Sequence, residues 1–428
     1  MTVAALRRFA GDRKGNVAII FAFSLMPIAL LTGMGVDYTM ATQRKAELDA
    51  AADAAALAAV TPTLMAQPSA ASVTAAQNMF NSQVQSIPGL SYAAANLSVN
   101  AVDNGLNRTV TVSYTASSQN TFAGVLGQST WALGGSSQST ASVAPNIDFY
   151  LLLDNSPSMA IAATTAGINT MVNNTSSQGG GCAFACHETN PSADHLGNPN
   201  NEDNYTLAKN LGVVTRIQNL NAATQSLMDT ATTVMANYNS KYRMGIYTFN
   251  TGVNTIAAFP STPSSAKTLA AGIDVLTVYK NNWLTSNNQN NDADTDFETA
   301  MSTINTTMPA PGSGMAGQPP QEVLFLVSDG VDDSNKNGSR NEALFDTSWC
   351  TTVKNRGIRI AVLYTTYLPL PTNAWYNSHI APFQPQIAGN MQKCASAGLY
   401  FQVSTDQDIS AAMAALFQQA VATARLVK

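Results

Sequence analysis

Charge is what this 428-residue sequence has least of: Lys and Arg together number 21 and Asp and Glu 26, for a formal net charge of -5. No basic field exists to draw in a polyanion, which excludes nucleic-acid binding. Histidine is rarer still, with three in the whole chain, so a haem-axial or zinc set is hard to complete around any cysteine pair. Cysteine is limited to Cys182, Cys186, Cys350 and Cys394, all beyond the apolar N-terminal segment. An even set admits two disulfides, and these persist only in an oxidising compartment such as the periplasm. Alanine, serine, threonine and asparagine take the place of the missing charges, a composition that suits an exported bacterial surface protein. At 45% hydrophobic the chain is globular and long enough for more than one core, so two or three domains are expected.

The N-terminus settles the compartment. Val17 to Val36 is uncharged, and about 20 residues at 1.5 Å each match the roughly 30 Å hydrocarbon core of a bilayer. This predicts a transmembrane helix over 17–36. Arg7, Arg8, Arg13 and Lys14 precede it against Asp12 alone. The positive-inside rule then keeps a basic segment, 1–16, in the cytoplasm and places the bulk of the chain in the periplasm. A cleaved signal peptide is the alternative, but its apolar core is usually shorter and ends at a small-residue site. The alanine-dense run Ala41 to Val60, with Leu48 and Leu57 among spaced charges, carries the helix onward over 37–62.

Arg7-Arg8-Phe9, Asp12-Arg13-Lys14-Gly15, the apolar run, Gly35-Val36-Asp37-Tyr38 and the alanine-rich Leu48 to Leu57 together resemble the N-terminus of TadE/TadG-like pilus-assembly proteins. The resemblance implies a single-pass protein of the bacterial inner membrane that works with the Flp (type IVb) pilus machinery, with surface exposure where it travels with the pilus. Some pilin-like relatives are cut after a glycine, here Gly15. A pilin usually carries Glu at the fifth position after the cut, where this chain has Ile20, so a permanent anchor is expected.

Region 63–145 reads as a small α+β module: a helix around Ala75 to Val84, then alternating stretches Leu97–Val102, Thr109–Tyr114 and Thr130–Ala132, with Asn104-Gly105 as a turn. It holds no metal-spacing or nucleophile cluster, and spacing or packing is its expected role.

The large domain, 146–428, carries the chemistry. Ile147 to Leu153 is an apolar run of strand length that ends in Asp154-Asn155-Ser156-Pro157-Ser158, a D-x-S-x-S pattern. At the C-terminal edge of a buried parallel strand, two hydroxyls spaced in this way can turn toward one point with the carboxylate behind them. Such hard oxygen donors favour Mg²⁺. Alone, the pattern serves equally well as a turn with a helix cap. Two further stretches add to it: Asp294-Thr295-Asp296 just before a helical pattern, and Val323 to Val327 ending in Ser328-Asp329-Gly330. Leu211–Tyr238 and Ile409–Leu426 are helix candidates, and Arg243–Phe249 and Ile358–Tyr364 are strand candidates. Strands alternating with helices predict a doubly wound, mostly parallel sheet with helices on both faces.

Together the three loops resemble the metal-ion-dependent adhesion site, or MIDAS, of von Willebrand factor A domains. That resemblance implies Ser156 and Ser158 as direct ligands, Thr295 as a ligand directly or through water, and Asp154 and Asp329 mainly through water. Mg²⁺, or Mn²⁺ or Ca²⁺, would be the ion, and one open position would take an acidic side chain from a protein partner. Pilus subunits or the assembly machinery are the expected partners. The alternative is a fold that keeps these residues for turn and cap hydrogen bonds and acts as a metal-free scaffold. No catalytic residue is assigned: Ser156 with His187, His195 or His379 lacks the G-x-S-x-G elbow of a hydrolase, and the chain is expected not to be an enzyme.

A long polar insertion at about 163–204 follows Ser158 and would frame the mouth of the site. Within it Cys182 and Cys186 suit a short disulfide, free thiols, or a metal or haem site with His187 and His195. Cys350 and Cys394 form the natural second disulfide pair. Asp333 to Gly338 looks like the start of a calcium loop, but Leu344 stands where the closing Glu should be, so a solvated turn is expected.

Overall fold

The structure, a computed structural model, describes residues 16–178, 181–185, 187–193, 196–278, 294–336, 339–367, 369–370, 374–404 and 407–424. The chain divides into two compact units, Met1–Ser142 and Val143–Lys428.

The first unit is built on one 43-residue helix, α1 (Asn16–Ala58). Its first half is the one helix among the described residues long and apolar enough to cross a membrane, and Phe21, Phe23 and Met26 are exposed there. Helix propensity carries it beyond the apolar run, as expected. Its second half is amphipathic through alanine: Leu48, Ala51, Ala52, Ala55 and Ala56 recur at helical spacing and are all buried. After the short helix α2 (Pro62–Met65), α3 (Ser69–Val84) adds Ala76, Phe80 and Val84 to that core. The sheet beneath is antiparallel. β3 (Asn107–Gln119) pairs along one edge with β2 (Leu97–Asn104) and β1 (Leu90–Ser91), and along the other with β4 (Thr130–Ser142). β3 alternates strictly and turns Val110, Val112, Tyr114 and Ala116 toward the helices. Arg108 is fully buried in that row, and its guanidinium is satisfied by Asp103, Ser72 Oγ and the Leu64 carbonyl.

The second unit is the expected α/β fold. β5 (Ile147–Asp154), β7 (Tyr242–Phe249), β10 (Gln321–Ser328), β13 (Arg359–Thr365) and β14 (Tyr400–Val403) are parallel, and β8 (Val253–Ser261) lies antiparallel on the β7 edge. The order β14-β13-β10-β5-β7-β8 is that of a doubly wound sheet whose direction of winding reverses between β5 and β10. The two-residue strands β6 (His187–Glu188) and β9 (Thr277–Val278) pair separately, as do β11 (Val331–Lys336) and β12 (Ser339–Leu344).

All eight residues of β5 and of β10 are buried, which explains why their sequences read as continuous apolar runs rather than alternating ones. Phe149, Leu151 and Leu153 face a core with α4 (Thr165–Asn174), α5 (Asn204–Asn210), α6 (Arg216–Tyr238), α7 (Pro263–Ala270) and the C-terminal helix α12 (Ile409–Ala424). Tyr150 and Leu152 face a second core with α8 (Phe297–Thr307), α9 (Ser348–Asn355), α10 (Ala374–His379) and α11 (Gln384–Cys394). Cys350 of α9 and Cys394 of α11 form the expected disulfide, both fully buried.

Three expectations are corrected. Leu211–Tyr238 is not one helix: the chain turns at Gly212, at φ +69°, and α6 restarts behind a capping box of Thr215 and Gln218. Asp333 is not in a solvated turn but in β11, where Arg340 holds its carboxylate and neighbouring Ser334 is buried. β4 runs thirteen residues rather than three, because its Ser, Gly and Thr content hides the strand from a hydrophobic pattern.

Candidate functional site

Ligands in open α/β sheets bind beyond the C-terminal ends of the strands, where the winding direction reverses. Here that point lies between the ends of β5 and β10, occupied by Asp154 and by Ser328-Asp329.

Asp154 is fully buried, and hydroxyls engage both of its oxygens. Oδ1 accepts from Ser156 N at 3.0 Å and Ser156 Oγ at 2.6 Å; Oδ2 accepts from Ser328 Oγ at 2.7 Å. The carboxylate therefore accepts the Ser156 hydroxyl hydrogen bond, which turns that oxygen's lone-pair side away from Asp154. Ser158 Oγ lies 3.0 Å from Ser156 Oγ, so the two serines of the pattern do converge. Asp329, 1% exposed, follows directly on the end of β10 and interacts with the Ser158 hydroxyl; its Oδ2 is buried without a hydrogen-bond partner among the described residues.

Thr295 is tied in less directly. It exchanges two backbone hydrogen bonds of 2.9 Å with Asp333. Its neighbour Asp296 donates to the Asn250 carbonyl at 2.8 Å, and Asn250 Nδ2 donates to Asn155 Oδ1 at 3.0 Å. The Thr295 loop thus reaches the Asp154 loop through Asn250 and Asn155. Asp296 also caps α8 by accepting from Thr299 N at 2.9 Å.

Burial raises the Asp154 carboxyl well above the usual carboxylate range, and the neighbouring charge of Asp329 adds to it against the hydrogen bonds of Ser156 and Ser328. Burial raises Asp329 as well, opposed by Ser158 and by Arg216. Two buried carboxyls that repel each other, one orphaned carboxylate oxygen and a converging pair of hydroxyls make a donor set suited to a hard dication. No three His, Cys, Asp or Glu side chains converge on one metal-sized point among the described residues; the oxygen set here is two carboxylates and hydroxyls.

Sequence reasoning did not assign Ser328, Asn250 or Arg216 to the site. Ser328 was legible, since it precedes Asp329 at the strand end. Arg216 carried no signal. It is buried at the start of α6, donates to the Thr366 carbonyl at 2.6 Å and interacts with Asp329. Of the cysteines in the insertion, Cys182 is a free thiol that donates to the Phe184 carbonyl. Its candidate partner Cys186 lies outside the described residues, as do His195 and Gly15. His187 Nδ1 pairs with Asp203 at 2.8 Å.

Residues 15–76 match the Flp pilus-assembly TadE/G-like family, and a comparison with curated proteins finds no match. Among solved structures the chain is similar to the conserved hypothetical protein BatB from Bacteroides thetaiotaomicron, at 12% identity and TM-score 0.35, over 65% of this chain and 100% of that one. It is similar to the von Willebrand factor domain of the type V pilus tip protein Mfa5 from Porphyromonas gingivalis, at 9% identity and TM-score 0.35, over 67% and 97%. It also resembles proximal thread matrix protein 1 from the mussel byssus, in a form with a zinc-occupied MIDAS motif, at 12% identity and TM-score 0.34, over 65% of this chain. The chain spans 46% of the mussel protein's length. The family match is confined to the N-terminal segment, and the large unit is a doubly wound, mostly parallel α/β sheet.

Proposed function

We propose that this is a membrane-anchored pilus-assembly or adhesion protein that binds an acidic side chain of a protein partner through a divalent metal ion. Asp154, Ser156, Ser158, Thr295 and Asp329 would hold the ion, with Mg²⁺ favoured over Mn²⁺ or Ca²⁺ by the hard oxygen donors. The observation that carries the reading is the Asp154 carboxylate, which orients the Ser156 hydroxyl 3.0 Å from that of Ser158. The ion supplies positive charge and an open coordination position, which gives preference to a carboxylate on the partner. The protein's own residues keep the hydroxyl oxygens preset and two carboxyls buried beside them. The reading assigns binding rather than catalysis, with the large unit facing the periplasm and pilus subunits or the assembly machinery as partners.

A second reading is a metal-independent scaffold, and Arg216 favours it: a buried guanidinium beside Asp329 already supplies a compensating charge. Asp154→Ala at normal protein level separates the two. Loss of pilus assembly or attachment supports the metal-bridged reading, and full function supports the scaffold.

A further inference from the structure

The small unit carries an apolar tip placed where α1 leaves the membrane. β3 runs antiparallel alongside α1, and side chains mark their register. Tyr114 OH donates to Asp49 at 2.5 Å, Arg44 reaches Ser118 Oγ at 2.7 Å and the Gln119 carbonyl at 3.0 Å, and Asp37 accepts from the backbone N–H groups of Thr121, Phe122 and Ala123 at 2.9, 2.8 and 2.7 Å. Each step along β3 therefore moves back down the helix toward its membrane half. Phe122 goes deepest: its ring lies on Gly33, where any Cβ would sit 2.4 Å from the ring. Gly33 lies inside the uncharged run, four residues or about 6 Å below Asp37 at 1.5 Å per residue.

The turn that follows, Ala123–Leu126, ends at Gly127 with φ +89° and holds out Val125 and Leu126, 76% and 59% exposed. Beside it, Tyr38 packs edge-on against Trp131 with ring centroids 5.6 Å apart. No charged residue occurs between Arg108 and Asp148. Three apolar side chains on an uncharged turn, held by a buried carboxylate and flanked by a Tyr–Trp pair, reproduce the composition of a membrane–water interface.

We propose that the 121–127 turn dips into the lipid interface of the membrane that α1 spans, with Phe122, Val125 and Leu126 among the acyl chains and Tyr38 and Trp131 at the headgroups. The occupant is lipid because the turn continues the exposed apolar surface of α1 itself. The proposal rests on the membrane anchoring of α1 and not on the metal site. The turn would be a second attachment point, fixing the rotation and tilt of the small unit against the bilayer.

The test uses the full chain, with Cys182→Ser and Cys186→Ser, reconstituted in phosphatidylcholine–phosphatidylglycerol vesicles. A polarity-sensitive fluorophore is attached to a single cysteine at Val125→Cys, at Phe23→Cys within the span, or at Gln138→Cys on exposed β4. The proposal expects blue-shifted emission at positions 125 and 23 and its loss to nitroxide-bearing lipid, with position 138 quenched by aqueous iodide instead. If position 23 is quenched by the lipid while position 125 responds to iodide, the span stands and the proposal falls. Shielding of position 125 from both quenchers means that protein, a second copy or a pilus subunit, covers the turn, and this also overturns it. An unquenched position 23 removes the anchoring on which the proposal rests.

Discussion

Ser328 Oγ donates to Asp154 Oδ2 at 2.7 Å, joining the C-terminal ends of the two central strands beneath the paired serines. The bond is buried and its acceptor is a carboxylate, a combination worth more than an ordinary hydrogen bond. Ser328→Ala leaves that oxygen without a donor and is expected to cost about 1.5–3 kcal/mol of stability, read as a lower urea midpoint. It should also weaken metal binding, because Asp154 then no longer holds the Ser156 hydroxyl in one orientation.

The Cys350–Cys394 bond closes a loop of 44 residues between α9 and α11. A loop of that length corresponds to about 4 kcal/mol in the chain-entropy treatment. The double variant Cys350→Ala, Cys394→Ala is expected to lose roughly 2–4 kcal/mol in denaturant unfolding. Because both sulfurs are buried, the native bond should resist reduction until the large unit opens.

At the other end of the sheet, Glu322 of β10 stands in register with Asp148 of β5, whose carboxylate pairs with Arg243 of β7. Burial, and then the charge of Asp148, push the Glu322 carboxyl from its ordinary 4.5 up to about 9. The folded state therefore binds this proton more tightly than the unfolded chain does. The stabilising contribution is full below the unfolded value near 4.5 and is lost progressively as pH rises through about 9. Glu322→Gln, a mimic of the protonated form, should flatten that decline and make the protein more stable than wild type at the alkaline end. A variant whose stability falls with pH as steeply as wild type would assign the decline to another group.

Gly330 follows Asp329 with φ +80°, and a Cβ there would meet Ile387 Cγ2 at 2.6 Å. Gly330→Ala combines a left-handed backbone penalty with overpacking, and each costs on the order of 1 kcal/mol or more. The expected result is a lower thermal midpoint together with weaker metal binding, since the Asp329 backbone must shift.

Much of this architecture was legible because burial writes itself into sequence. The β5 and β10 runs are covered on both faces, so they read as unbroken apolar segments, and the polar residues that end them stood out as loop chemistry. Asp154, Ser156 and Ser158 alternate along one short loop, and their convergence could be anticipated from that spacing. The Arg216–Asp329 relationship could not, because it depends on how α6 docks 113 positions away along the chain. Nor could the Asp37 bond to the 121–123 backbone, whose acceptors and donors meet only when β3 lies along α1. The break at Gly212 was missed because apolar spacing continues across it while the backbone does not.

Titration of the full-length protein in detergent with Mg²⁺ and Mn²⁺ by calorimetry, beside the folded double variant Ser156→Ala, Ser158→Ala, tests whether the paired serines hold a metal ion. A metal-bridging site gives saturable binding of one ion that the variant loses. Absence of binding by well-folded wild type, or equal binding by the variant, would contradict it and leave the metal-free scaffold as the reading of this fold.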